Sequence, residues 1–199
     1  MPKRVDHHER RTLIADALMR VAADRGLEAV SLRHVAAETG VSAGMVQHYF
    51  RTKDEMMTFA MAVVREHNHA RVSEAVAALG ATPSPRAFVR TVLAEVLPLD
   101  EARRADGRVT LAFLAYAAVR PAAAATLRED TDTMLGFIAG QIRAARSAGD
   151  MRAVDPDSAA AGLLAVTEGL GVYLLGGHYT PEVALDALDA HLDLIFEPR

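Results

Sequence analysis

Apolar residues in this chain recur three and four positions apart almost throughout, which is the spacing of one face of an α-helix. Leu13, Ile14, Ala17, Leu18 and Val21 make the first such stripe, and Gly26 stands where a helix C-terminal glycine would end it. Ser31 is placed to cap a short helix through Thr39, and Ser42 a second one through about Phe50, with Gly40 supplying the turn between them. Thr52 and Glu55 have capping-box spacing, so a further helix starts at Lys53, and its stripe of Met56, Phe59, Val63 and His67 runs on toward Ala78. Residues 80–85 read as a linker. Beyond them, helices are predicted at about 85–97, 100–118, 122–148, 156–176 and 181–196, bounded by Pro98, Pro121, Gly149, Asp155-Pro156 and Thr180-Pro181. No β-branched alternation and no Asn-Gly or Asp-Gly hairpin turn marks a strand. The pattern predicts an all-α chain of about nine helices.

Residues 32–50, LRHVAAETGVSAGMVQHYF, have the pattern of a helix-turn-helix. Two short helices cross closely only if a small residue faces the partner and glycine allows the turn, and Ala36 and Gly40 have that spacing. Val35, Val41, Val46 and Tyr49 then form the buried side, with Thr39 the one polar position on it. The same pattern also suits a helical hairpin with no role in DNA binding. Three neighbouring features favour DNA: an amphipathic helix just before, the stretch HYFRTKDEM just after, and the local charge. Nine basic and six acidic residues fall within 1–53, against thirteen and twenty within 54–199, so a net charge of −4 hides a positive N-terminal quarter. Exposed amides at the start of the helix at Lys53, beside that lysine, suit a phosphate.

With 199 residues, 51% apolar and 24% charged, the chain is long enough for a sizeable core. It has no cysteine, which removes disulfides, thiolate metal sites and cysteine nucleophiles together. No phosphate loop, Gly-x-Ser-x-Gly elbow or clustered acid–base pair is present, so neither catalysis nor a cofactor is expected. The histidines of Asp6-His7-His8-Glu9 and His67-Asn68-His69 stand one or two apart, where helical side chains point to different faces, so no metal site is expected. The longest apolar run, residues 162–177, is short for a membrane span and carries Glu168, and the first eight residues, MPKRVDHH, lack a hydrophobic signal segment. These features predict a cytoplasmic protein that does not engage membranes.

The helix at 156–176 is apolar nearly all round, more than one core hides. The helix at 181–196 carries Leu185, Leu188, Leu192 and Ile195 at 3,4,3 spacing, with Asp186, Asp189 and Asp193 beside them. With Leu170 and Leu174 of the preceding helix, these leucines are candidates for a dimer interface built as a four-helix bundle; intramolecular core is the alternative. Glu168 costs free energy inside such a helix unless it is paired. It therefore meets a cationic ligand, bonds across the dimer or caps a neighbouring element.

Residues of about 10–60 resemble the DNA-binding domain of TetR-family transcriptional repressors. The resemblance rests on the first helix, the Ser31-Leu32-Arg33 entry to the second, the turn Gly40-Val41-Ser42, and Tyr49-Phe50-Arg51-Thr52-Lys53 opening the fourth. The C-terminal end, with Glu168-Gly169-Leu170, Thr180-Pro181-Glu182, Leu188 and His191-Leu192, looks most like the branch that includes the choline-responsive betaine regulators. The resemblance implies a DNA-binding domain at 1–53 and a ligand-binding and dimerisation domain at 54–199. It implies that the third helix enters the major groove, presenting Ala43, Gly44, Met45, Gln47 and His48 to base edges with Arg33 alongside. In that groove Gln47 matches adenine, Arg33 guanine, and Met45 or Ala43 a thymine methyl, while His48 equally suits a covering role over the turn. Tyr49, Thr52 and Lys53 match phosphate-holding positions, and Arg4, Arg10 and Arg11 form a candidate flexible arm along the DNA backbone.

The resemblance also implies an effector pocket enclosed by helices from about 54 to 176. Its candidate lining is Phe59, Val63, His67, Phe88, Leu93, Phe113, Tyr116, Met134, Phe137, Ile138 and Gln141, each of which core packing also explains. The expected function is that of a homodimeric repressor on a palindromic double-stranded DNA operator, released by a small-molecule effector. A helical small-molecule-binding module without a DNA role is the alternative.

Overall fold

A computed structural model describes residues 7–25, 30–147 and 154–196. The described residues form helices joined by turns: α1 (His7–Arg25), α2 (Leu32–Thr39), α3 (Ala43–Tyr49), α4 (Lys53–Ala78), α5 (Pro85–Val96), α6 (Glu101–Ala117), α7 (Pro121–Ser147), α8 (Pro156–Leu175) and α9 (Pro181–Phe196). Helices α2 to α6, α8 and α9 start and stop within about a residue of the bounds that the pattern indicates. The expected stops at Gly26 and Gly149 and the arm residue Arg4 lie outside the described residues.

Local chemistry accounts for these boundaries. Ser31 Oγ accepts from the His34 N–H at 3.2 Å, Ser42 Oγ from Met45 N–H at 3.1 Å, and Ser84 Oγ from Ala87 N–H at 3.2 Å. Asp155 Oδ1 accepts from Ser158 N–H at 2.8 Å. Each bond satisfies an amide that the first helical turn leaves without a partner.

The chain divides into two compact units. One holds residues 1–67 and 108–124, the other 68–107 and 125–199, so the division falls within α4, α6 and α7 rather than between successive domains. The first unit packs Ile14, Leu18 and Val21 of α1, Val35 of α2, Val46 of α3 with Phe50 just beyond its end, Met56 and Met57 of α4, and Phe113 of α6 out of solvent. The second is built on Val89, Leu93 and Leu97, on Ile138 and Ile142 of α7, on Leu163, Leu170 and Leu174 of α8, and on Leu188, Leu192 and Phe196 from α9. Burying a side chain of this size contributes on the order of 2 kcal/mol, so each unit has a core of its own.

Contrary to the reading of residues 162–177, α8 is long and apolar enough, by length and composition, to cross a membrane. Ala159, Ala160 and Ala161 extend the apolar stretch toward the helix start, ahead of Gly162. Core helices of globular proteins pass the same test, and α8 contributes Leu163, Leu170 and Leu174 to the second unit's core.

Candidate DNA-binding site

The site is assembled from α2, the glycine turn, α3 and the start of α4. Gly40 sits at φ 70°, the left-handed region that glycine enters without strain, and its N–H closes α2 onto the carbonyls of Ala36 and Ala37. Val41 N–H then donates to Ala36 O at 3.1 Å, which fixes the angle at which α3 leaves. The polar Thr39 is accommodated because its hydroxyl donates back to Val35 O at 2.9 Å and Ala36 O at 3.1 Å. Val35, Ala36, Val46 and Phe50 are buried beneath the turn, while Val41 and Tyr49 are half-buried. Arg20 of α1 and Glu38 of α2 pair across the surface at 2.8 Å.

With Val46 turned inward and Tyr49 half-buried, the other residues of α3 turn outward. Ala43, Gly44, Met45, Gln47 and His48 are all exposed, and so is Arg33 near the start of α2. An exposed thioether is uncommon on a globular surface, and Met45 is 42% accessible. His48 packs edge-on against the Tyr49 ring with centroids 5.3 Å apart, so covering the tyrosine and facing outward are both open to it.

The residues matched to phosphate contacts lie at the next helix start. Thr52 is exposed and its Oγ1 accepts from the Glu55 N–H at 3.0 Å, while Glu55 Oε2 accepts from Arg51 N–H at 2.9 Å. This is a capping box whose return bond reaches one residue earlier than the ordinary pattern. Lys53 and Tyr49 are half-buried beside it. Arg11 is not part of a flexible arm: it lies in α1, its guanidinium 4.9 Å from the Phe50 ring and 4.5 Å from the Phe59 ring, and it pairs with Glu55 at 3.7 Å. Two aromatic faces and a carboxylate hold it against the corner between α3 and α4. Arg10 is helical and half-buried. No periodic signal links Arg11 to Phe50, Glu55 and Phe59, which lie about forty positions away in the sequence.

The candidate effector-lining residues fall in both units. In the first, Val63, Phe113 and Tyr116 are buried, Phe59 is half-buried against Phe50 at 5.4 Å, and His67 is exposed, so the α4 stripe ends before it. Phe113 and Tyr116 stack at 6.3 Å, and the Tyr116 hydroxyl donates to Asp54 in the first turn of α4. In the second, Leu93 and Ile138 are fully buried, Met134 and Phe137 pack against that core, Phe88 lies 5.3 Å from Phe137, and Gln141 is half-buried.

The leucine stripe of α9 is directed inward. Leu188 and Leu192, with Leu170 and Leu174 of α8, are buried within the single chain, and Leu185 and Ile195 pack against the same core. The apolar side chains left in solvent on these helices are others: Val172 at 46% exposure, Tyr173 at 48%, Val183 at 48% and Leu194 at 59%. Glu168 stands on the exposed side of α8, where desolvation by its neighbours pushes its carboxyl above the ordinary glutamate range.

Comparison with known proteins agrees with this geometry. The model of bacterial regulatory proteins of the tetR family matches residues 14–58, and that of the C-terminal part of BetI-type transcriptional repressors matches residues 85–197. The HTH-type transcriptional regulator BetI of Burkholderia thailandensis is 28% identical over 201 residues, 100% of each chain. The HTH-type transcriptional regulator PksA of Bacillus subtilis is 40% identical over 117 residues, which is 59% of this chain and 56% of that protein. A crystal structure of a transcriptional regulator from Rhodococcus sp. Rha1 matches with a TM-score of 0.82 at 35% identity, covering 93% of this chain and 95% of that one. A regulator from Saccharomonospora viridis in complex with choline shares the fold, with a TM-score of 0.83 at 23% identity, covering 96% and 100%. The chain thus belongs to the TetR family of bacterial regulatory proteins, and is a transcriptional regulator with a C-terminal part of BetI type.

Proposed function

We propose that the chain is a cytoplasmic, ligand-responsive repressor that binds a palindromic operator as a homodimer and is released from it by a small-molecule effector. The observation that carries the reading is the division of α3. Val46 is buried while Ala43, Gly44, Met45, Gln47 and His48 are exposed on a helix of only seven residues. Such a face has no use within the unit, and it fits a major groove in which Gln47 and Arg33 read bases. Tyr49, Thr52 and Lys53 hold phosphates on either strand, setting affinity and register rather than sequence.

One reading helix covers a half-site, so two are needed about 34–36 Å apart. The exposed apolar positions of α8 and α9 supply the surface for pairing. A Cβ at Gly162 or Gly169 would meet nothing within 4 Å, which leaves space for a partner helix to approach closely. The place of Glu168 on that same exposed side favours contact with a second copy over contact with a cationic effector held among the helices. In this reading residues 1–53 bind DNA and residues 54–199 bind the effector and dimerise. Phe88, Phe137 and Gln141, all in the second unit, are candidates for contact with the effector. The effector acts by binding the DNA-incompetent arrangement more tightly, and the switch is as large as that difference in affinity.

A salt titration of binding to duplex DNA tests the proposal. Affinity is expected to fall steeply with salt, by a slope of roughly 0.9 per phosphate neutralised, and Lys53→Ala is expected to weaken binding and reduce that slope by about one. Binding indifferent to salt and to Lys53 would leave a helical ligand-binding module without a DNA role.

A further inference from the structure

The first turn of α4 poses an electrostatic problem for any phosphate: it carries Asp54 and Glu55 directly beside Lys53. Acidic side chains favour a helix N-terminus for the reason that phosphates do, and the two compete for the same positive end. Both acids are engaged by residues from other elements. Glu55 pairs with Arg11 of α1 and accepts from the Arg51 N–H. Asp54 accepts a hydrogen bond from the hydroxyl of Tyr116, the penultimate residue of α6. Tyr116 is itself 5% exposed, stacked on Phe113 at 6.3 Å, and has the Arg120 guanidinium 3.9 Å above its ring. The Arg120 side chain also donates to the Tyr116 carbonyl at 3.5 Å. An exposed aspartate is therefore drawn onto a buried phenol, with a cation stacked on the same ring.

We propose that Tyr116 is a positioning residue for DNA binding: its hydroxyl holds the Asp54 carboxylate against the protein and away from the phosphate that Lys53 and the start of α4 receive. The inference rests on the DNA-binding reading above and adds a residue outside the helix-turn-helix to it. Without the hydroxyl, the carboxylate swings into solvent next to Lys53. There it repels the incoming phosphate and competes with it for the positive end of α4.

Replacing Tyr116 by Phe keeps the buried ring and removes only the donor, so the fold is retained. The test measures duplex affinity at two salt concentrations for wild type, Tyr116→Phe, Asp54→Asn and the double variant. Tyr116→Phe is expected to bind roughly three- to ten-fold more weakly, with the larger deficit at low salt where charge repulsion is least screened. Asp54→Asn is expected to bind at least as well as wild type and, in the double variant, to restore what Tyr116→Phe loses. A purely structural role for Tyr116 predicts no such rescue. Wild-type affinity in Tyr116→Phe, or a double variant as weak as Tyr116→Phe, overturns the inference while leaving the DNA-binding reading intact. Failure of the wild-type protein to bind any duplex would take both down together.

Discussion

Gly44 is where the protein's own packing and its proposed partner make different demands. A Cβ there meets only Ser42 Oγ, at 3.9 Å, and its φ lies outside the left-handed region. Alanine therefore fits the folded chain and should stabilise α3 by about 1 kcal/mol, the usual difference between the two residues in a helix. The neighbour left to object is the duplex. Gly44→Ala is expected to raise the thermal midpoint by a few degrees while weakening DNA binding, read by thermal unfolding and by titration with duplex. Unchanged affinity would mean that the α3 backbone does not approach the bases. At this scale the sequence is readable where chemistry is local. Ser31, Ser42, Gly40 and Thr52 all act on residues within four positions, and each does what its spacing indicates. Arg11, Asp54 and Tyr116 act on residues forty to sixty positions away, a distance over which no periodicity carries information.

The same contrast appears between helices. The aspartates beside the α9 leucines look from sequence like the rim of an intermolecular bundle. In the structure Asp189 takes Arg90 in a two-pronged pair, Nε to Oδ1 at 2.7 Å and Nη2 to Oδ2 at 2.8 Å, and Asp193 accepts from Arg86 Nε at 2.8 Å. Two arginines one turn apart on α5 thus clamp two aspartates one turn apart on α9, beside the Leu188 and Leu192 that α9 buries in the core. Helical period and boundaries were legible from the 3,4,3 spacing, but whether the stripe packs within the chain or against another copy, and that Arg86 and Arg90 take these aspartates, depend on helices about a hundred positions away.

The clamp has a pH signature. The hydrogen bond from Arg90 holds the Asp189 carboxyl below the ordinary aspartate range, so the folded state binds fewer protons than the unfolded chain near pH 4. The pair's contribution is complete above that value and is lost as pH falls through the lowered one. Asp189→Asn should therefore cost on the order of 1 kcal/mol or less at neutral pH, the pair being partly exposed, and its stability should decline less steeply than wild type as the pH falls below about 4. Parallel stability curves for the two proteins would refute a role for this carboxylate.

For the whole molecule, the folding units do not follow chain order. Residues 108–124 pack with the helix-turn-helix, although α4 through residue 78 and all of α5 separate them from it in sequence. The helical fold and the glycine turn of the reading head were evident from patterning. Which apolar positions of α8 stay in solvent was not, because α8 is apolar nearly all round and its periodicity could not tell core from exposed face. The structure points instead to Val172, Tyr173, Val183 and Leu194 as apolar positions in solvent. If two chains deliver two copies of α3 to one duplex, sedimentation equilibrium of the protein at micromolar concentration on a genomic duplex it captures will give two chains per duplex for wild type and lose that stoichiometry in Leu194→Glu. One wild-type chain per duplex would refute delivery in pairs.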